Sequence, residues 1–268
     1  MKIKSLKRKP VCLVMQVAFG IGDIDGNPEL WDIIDYCRNN DYNYVVPNIT
    51  INGARLTDEA AKKFSEKLGA IAVSHYDEDT TYDAVKKLAD LGMDQVNIHA
   101  MVSEETFDKT IKLIDDCTTD PRLSKLNAVV MLSLKQRGRG EHFQPLTQER
   151  FGLLVNTALS KEVRIGFDSC SAPKFLIAVK DHPRYEQFEM CSEPCESGLF
   201  SIYINVEGDF FPCSFVEGRS KWEKGISVVG CRNFLSDIWF GERVNEWRKN
   251  LLQNIDSRGC RRCPVFNV

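Results

Sequence analysis

The sequence predicts an α/β fold: an incomplete parallel (β/α) barrel followed by a small C-terminal cysteine-rich α+β module. Two observations lead there. The first 135 residues repeat one pattern, in which a short apolar run ends in a polar or glycine-bearing loop and an amphipathic stretch follows. Seven of the ten cysteines then fall after Asp168, namely Cys170, Cys191, Cys195, Cys213, Cys231, Cys260 and Cys263.

The expected strands are Val11–Ala18, Tyr44–Ile49, Ala70–Ser74, Gln95–His99 and Ala128–Leu132. Their near-continuous apolar runs suit parallel strands covered on both faces. Between and after them the helical period places Glu29–Asn39, Asp58–Leu68, Thr80–Leu91, Glu104–Cys117 and Gln148–Ser160. Thr57 and Ser103 are polar starts, and Gly69 and Gly92 follow apolar helix ends, where glycine readily turns left-handed. Repeated β-α units imply right-handed crossovers and a parallel sheet.

After Leu134 the rhythm changes. Arg137-Gly138-Arg139-Gly140 is a basic loop of a kind that meets phosphate or carboxylate, although four residues do not establish it. A β-like run, Val163–Phe167, ends in Asp168-Ser169-Cys170, and a boundary is expected near Asp181–Tyr185. Residues 1–182 are therefore assigned to the barrel and 183–268 to the module. Within the module, Ser201–Val206 and Asp209–Pro212 flank Glu207-Gly208 as a β-hairpin, and a helical segment near Leu235–Leu252 leads to the last cysteine pair.

Groups that act on ligands in such sheets gather beyond the carboxyl ends of the strands. The residues expected there are Gly20-Ile21-Gly22-Asp23, Asn48 with Asn52-Gly53, Ser74-His75, Asn97 with His99, and Lys135-Gln136-Arg137. Each also has a plain reading as a loop former, and their recurrence at one edge favours a site.

Net charge is −3 with 27% charged residues, which gives no basic field for general nucleic-acid binding. The basic start, Met1 to Lys9, lacks the apolar length of a secretory signal, and no run approaches a membrane span. A cytoplasmic, reducing compartment is expected, where cysteines serve as thiols or metal ligands. Cys12, Cys37 and Cys117 are read as small apolar residues. Cys195 and Cys213 bracket the hairpin, with Gly208 at its turn, and Cys260-Arg261-Arg262-Cys263 offers two ligands from one compact turn. Four thiolates suit either a tetrahedral zinc ion or a four-iron cluster. Cys191, Cys170 and Cys231 are further candidate ligands for a larger or second site.

These cysteines carry a resemblance to radical S-adenosylmethionine enzymes with a C-terminal SPASM or shorter twitch module. Cys195 to Cys213 resembles the opening of that module: a cysteine, a variable stretch, a glycine, four residues and a cysteine. Gly208-Asp209-Phe210-Phe211-Pro212-Cys213 resembles its glycine turn and proline-cysteine signature, and Trp239-Phe240, Arg248 and Cys260–Cys263 resemble its ending. The resemblance implies an auxiliary [4Fe-4S] cluster on Cys195, Cys213, Cys260 and Cys263. It also implies S-adenosyl-L-methionine as a cofactor: Gly20, Gly22 and Asp23 would meet its methionyl amino group, and Asn48, Ser74 and Asn97 its ribose or carboxylate.

The sequence departs from the family in lacking the three-cysteine motif that follows the first barrel strand and binds the catalytic cluster. A first β-α unit is expected to be missing, and the stop at Val268 resembles the single-cluster twitch form. In an intact relative that first cluster reduces S-adenosylmethionine, and the 5'-deoxyadenosyl radical takes a substrate hydrogen. The implied function is radical-based modification of a peptide, protein or other macromolecule, served by a reductant or partner chain. The alternatives are a non-catalytic cluster- or zinc-binding interaction protein and the partial subunit of a split radical enzyme.

Overall fold

A computed structural model of the protein describes residues 14, 16–39, 45–193, 195–219 and 221–253. Its first part alternates strand and helix: β1 (Ala18–Gly20), α1 (Leu30–Asn39), β2 (Asn48–Ile51), α2 (Asp58–Lys67), β3 (Ala70–Ser74), α3 (Glu78–Asp90), β4 (Val96–Val102), α4 (Phe107–Thr119), β5 (Ala128–Ser133), α5 (Gln148–Ser160) and β6 (Ile165–Phe167). The six strands form one parallel sheet in the order β1-β2-β3-β4-β5-β6. Asn48 lies opposite Ala70 between β2 and β3, and Val129 opposite Ile165 between β5 and β6. This is the α/β class the sequence predicts.

Two short helices follow, α6 (Ala172–Ala178) and α7 (Tyr185–Cys191). A three-stranded antiparallel sheet comes next, made of β7 (Tyr203–Ile204), β8 (Asp209–Phe211) and β9 (Ile226–Ser227), and then α8 (Glu242–Gln253). The chain divides into two compact units, Met1–Asn97 and Ile98–Val268. The first buries Ile34, Phe64, Val85 and Leu88 from its helices and Ile49, Ile51, Ile71 and Val73 from its strands. The second holds one apolar cluster around Ile114, Met131, Phe151 and Leu154, and another around Phe210, Phe211, Trp222 and Trp247. Each such fully buried side chain contributes about 1.5–3 kcal/mol.

Several expected boundaries move, each for a local reason. The strand expected from Tyr44 begins instead at Asn48, because Pro47 has no N–H to give to a ladder; the first ladder donor is Asn48, whose N–H bonds Val17 O at 2.8 Å. Of the strand expected over Val11–Ala18, residues 11–13 and 15 lie outside the described residues; β1 is Ala18–Gly20. β4 continues past His99 to Val102, since Val96, Ile98, Ala100 and Val102 alternate into the core.

Helix starts shift as well. Asp77, whose carboxylate accepts the Thr80 N–H at 2.8 Å, caps α3, which starts at Glu78, two residues before the expected start at Thr80. Glu104 and Glu105 do not open α4, because their carboxylates are taken by the N–H groups of Thr147 and Gln144. Thr57 caps α2 as expected, accepting the Ala60 N–H at 3.1 Å.

Gly92 is left-handed as expected (φ +88°), whereas Gly69 serves close approach, since a Cβ there would lie 3.0 Å from Val46 Cγ1. The stretch expected as one helix over Leu235–Leu252 is a π-helical turn, Leu235–Trp239, then Gly241, then α8.

Candidate metal centre

The module's short elements converge on the loop after Cys195. Asn205 N–H bonds Asp209 O, and Gly208, at φ +78°, turns the chain so that β8 returns along β7 toward Pro212-Cys213. The buried Ser197 hydroxyl donates to Pro212 O at 2.7 Å, tying the residue two after Cys195 to the one before Cys213. Helix α8 holds the same loop from another side. Its Trp247 Nε1 donates to Ser197 O at 3.2 Å, and Arg248 Nε to Gly198 O at 2.7 Å. Gly198 sits at φ +65°, and a Cβ there would come within 2.8 Å of Trp247 Cδ1, so only glycine fits.

Arg248 also donates to Trp239 O at 2.6 Å and stacks over the Trp239 ring at 4.2 Å, while its Nη2 is buried with no hydrogen-bond partner among the described residues. Cys195 and Cys213 are both half-buried. Helix α8 ends at Gln253, seven positions before Cys260; Cys260 and Cys263 lie outside the described residues, as does Cys12. Among the described residues no three His, Cys, Asp or Glu side chains are grouped to hold a metal ion. The donor chemistry of Cys195 and Cys213 suits a thiolate-bound centre: their loops are pinned together and α8 is pinned to the first of them.

The remaining cysteines are placed differently. The Cys231 thiol donates to Asp237 Oδ2 at 3.7 Å. Cys170 is half-buried in the turn Ser169–Ser171. Cys191 is exposed at the end of α7 and opens on a groove of about 860 Å³ lined also by Phe167, Phe188, Glu193 and Glu196. Burial pushes the Cys37 thiol up, and burial with the Asp116 charge pushes Cys117 up to about 12, which disfavours the reactive thiolate at both positions.

At the carboxyl edge of β5 and β6, in the second unit, lies a polar cluster that the sequence reading touched only at Lys135, Asp168 and Arg137. The Lys135 side chain, 2% exposed, pairs with Asp168 Oδ2, whose side chain is 22% exposed. Ser171 Oγ bonds Asp168 Oδ1, and Ser133 Oγ lies 2.5 Å from Ser171 Oγ. Burial, and then the Lys135 charge, hold Lys174 below the usual lysine range against the opposing pull of Asp168. Ser133, Ser171 and Lys174 were missed; the Asp-Ser-Cys-Ser run carried a signal for Ser171, which bonds Asp168 three residues before it, but no local pattern pointed to Ser133 or Lys174. The basic loop expected at Arg137–Gly140 starts a 3-10 turn, and Arg137 Nη1 donates to Phe215 O at 2.9 Å.

In the first unit, Gly20 closes β1, and Gly22 and Asp23 follow in a loop fixed to β2: Ile21 N–H bonds Thr50 O and Asn52 N–H bonds Gly22 O, both at 3.2 Å. A Cβ on Gly20 or Gly22 would meet open space. Asp23 Oδ2 is 3.4 Å from Arg55 Nη1, and Asp23 Oδ1 is buried without a hydrogen-bond partner among the described residues. Ser74 closes β3 as expected. Asn48 and Asn97 do not close their strands. Asn48 opens β2, where Pro47 sets the first rung, with its Oδ1 against Gly69, and Asn97 is the second residue of β4 because that strand runs on to Val102. Both therefore stand near the amino ends.

Comparison with known proteins agrees with the module. Residues 195–264 match SPASM, an iron-sulfur cluster-binding domain. No curated protein matches the chain. Among solved structures, Streptococcus suis SuiB bound to S-adenosylmethionine is similar at 13% identity and a TM-score of 0.58, over 86% of this chain and 55% of that one. PhdJ bound to a substrate intermediate is similar at 11% identity and a TM-score of 0.33, over 71% of this chain and 79% of that one. The chain thus spans about half the length of SuiB. The likeness to SuiB shows a shared fold, and the C-terminal region is SPASM-like. No helix among the described residues is long and apolar enough to cross a membrane.

Proposed function

We propose that this protein is a radical S-adenosylmethionine-type iron-sulfur protein whose module, residues 183–268, holds an auxiliary [4Fe-4S] cluster on Cys195, Cys213, Cys260 and Cys263. The carrying observation is the Ser197–Pro212 bond together with the grip of Trp247 and Arg248 on Ser197 and Gly198. Those bonds hold the loop after Cys195 against the residue before Cys213 and tie α8 to it, the kind of outer hydrogen bonding that orients ligands around a metal. When bound, such a cluster supplies one-electron chemistry or an iron with an open position.

The chain's own residues divide the remaining tasks. Asp23 offers a buried carboxylate oxygen lacking a partner among the described residues, which suits the ammonium of the methionyl group of S-adenosylmethionine. Gly20 and Gly22 leave room for a ligand to approach the backbone. Ser74 ends β3 at the same sheet edge. The substrate is a peptide, protein or other macromolecule, and the catalytic three-cysteine motif comes from a partner chain or segment.

Anaerobic reconstitution and reduction with S-adenosylmethionine tests this. Binding by equilibrium dialysis, and 5'-deoxyadenosine above an iron-free control once the partner chain is added, are expected. Absence of both leaves the non-catalytic, metal-binding reading, and zinc without labile sulfide would make that metal the alternative.

A further inference from the structure

Phe215 stands at a junction that the cysteine pattern does not announce. Its N–H donates to Cys213 Sγ at 3.5 Å, and its carbonyl oxygen accepts from Arg137 Nη1 at 2.9 Å. Its ring lies 5.2 Å from the Lys135 ammonium. A second bond runs parallel, from Arg219 Nη2 to Gln136 O at 3.3 Å, and a Cβ on Gly218 would lie 3.4 Å from Arg137 Nη2. The segment leaving β5, residues 135–137, therefore grips the loop just after Cys213, and Lys135 is itself held by Asp168 at the end of β6.

The physical consequence concerns the sulfur. An N–H aimed at a cluster sulfur, and positive charge near it, both stabilise the reduced and more negative form of the cluster. The aim of the Phe215 N–H depends on where that residue is held. Arg137 Nη1 anchors the following peptide through the Phe215 carbonyl, which restrains the Phe215 Cα about which the N–H-bearing peptide turns, and it brings a permanent positive charge to the loop.

We infer that Arg137 is a positioning residue for the auxiliary cluster: by holding Phe215 O it aims the Phe215 N–H at the Cys213 sulfur and raises the reduction potential of the bound cluster. The strand edge where the Lys135–Asp168 pair lies is thereby coupled mechanically to the redox centre. This rests on Cys213 being a ligand, as proposed above.

Two measurements on the full chain keep the two ideas separate. In the reconstituted protein, Arg137→Ala is expected to keep the wild-type iron and sulfide content while its midpoint potential falls and its EPR line shape changes. Arg137→Lys, which keeps the charge and one donor, is expected to recover part of the potential. An unchanged potential with full iron content would overturn the positioning role and leave the cluster intact as a reading. In the metal-free protein, backbone hydrogen exchange over Cys213–Val216 is expected to quicken about fivefold in Arg137→Ala, the effect of one lost hydrogen bond. Exchange equal to wild type would refute the grip whatever metal the module binds.

Discussion

Ser197 donates its hydroxyl to the carbonyl oxygen of Pro212 at 2.7 Å, so the loop that begins at Cys195 and the segment that leads from β8 to Cys213 share one buried hydrogen bond. Ser197→Ala would leave the Pro212 carbonyl buried and unpaired, at about 1–3 kcal/mol. Chemical denaturation should report that loss, and the reconstituted variant should release iron to a chelator faster than wild type. Equal release rates would mean that the bond does not serve the metal.

The Lys135–Asp168 pair makes a prediction about stability alone. Asp168→Asn leaves an ammonium buried at 2% exposure without its counter-charge, which costs about 3–5 kcal/mol. Lys135→Met combined with Asp168→Asn removes the stranded charge and should recover most of that loss. A double variant as unstable as the sum of the two singles would show that the pair is not the reason for the burial.

Asp23→Asn keeps the shape of the β1 loop and removes its negative charge. If Asp23 Oδ1 meets the methionyl ammonium, affinity for S-adenosylmethionine should fall about tenfold or more, the range of a charge-assisted hydrogen bond. Isothermal titration of the reconstituted protein measures it. Undiminished affinity would move the amino-group contact elsewhere.

Cys117 fixes the sign of an alkaline effect. Its folded pKa is raised to about 12 from 9.0, because burial and Asp116 disfavour the thiolate. Below pH 9 both folded and unfolded states hold the proton, and its contribution to stability is complete. As pH climbs from 9 toward 12 the unfolded chain releases that proton first, so the contribution is lost. Denaturation at pH 7.5 and pH 10 should therefore show a larger alkaline loss for the wild type than for Cys117→Ala.

Much of this was legible in the residues. The strand Ala70–Ser74 and the helix Gln148–Ser160 stand where the apolar period puts them, because their boundaries coincide with local caps such as Thr147, which accepts the Arg150 N–H. The hairpin around Gly208 was equally plain, since a left-handed turn between alternating runs has few other solutions. The start of β2 was misplaced because an apolar pattern is blind to which rung Pro47 forbids. α6 and α7 escaped because seven residues give a helical period too few repeats to register. The grip of Arg137 on Phe215 joins residues 78 positions apart, and no local pattern encodes such a contact. The strand-end reading of Asn48 and Asn97 failed with the strand boundaries it was built on.

The central claim is that four cysteines, two from pinned loops and two beyond α8, hold one iron-sulfur cluster. Anaerobic iron and sulfide analysis with EPR, on the wild type and on serine variants, tests it most directly. About four irons and four sulfides per chain are expected, lost in Cys195→Ser, Cys213→Ser, Cys260→Ser and Cys263→Ser and retained in Cys170→Ser, Cys191→Ser and Cys231→Ser. Zinc without sulfide, or iron that survives Cys260→Ser combined with Cys263→Ser, would contradict it.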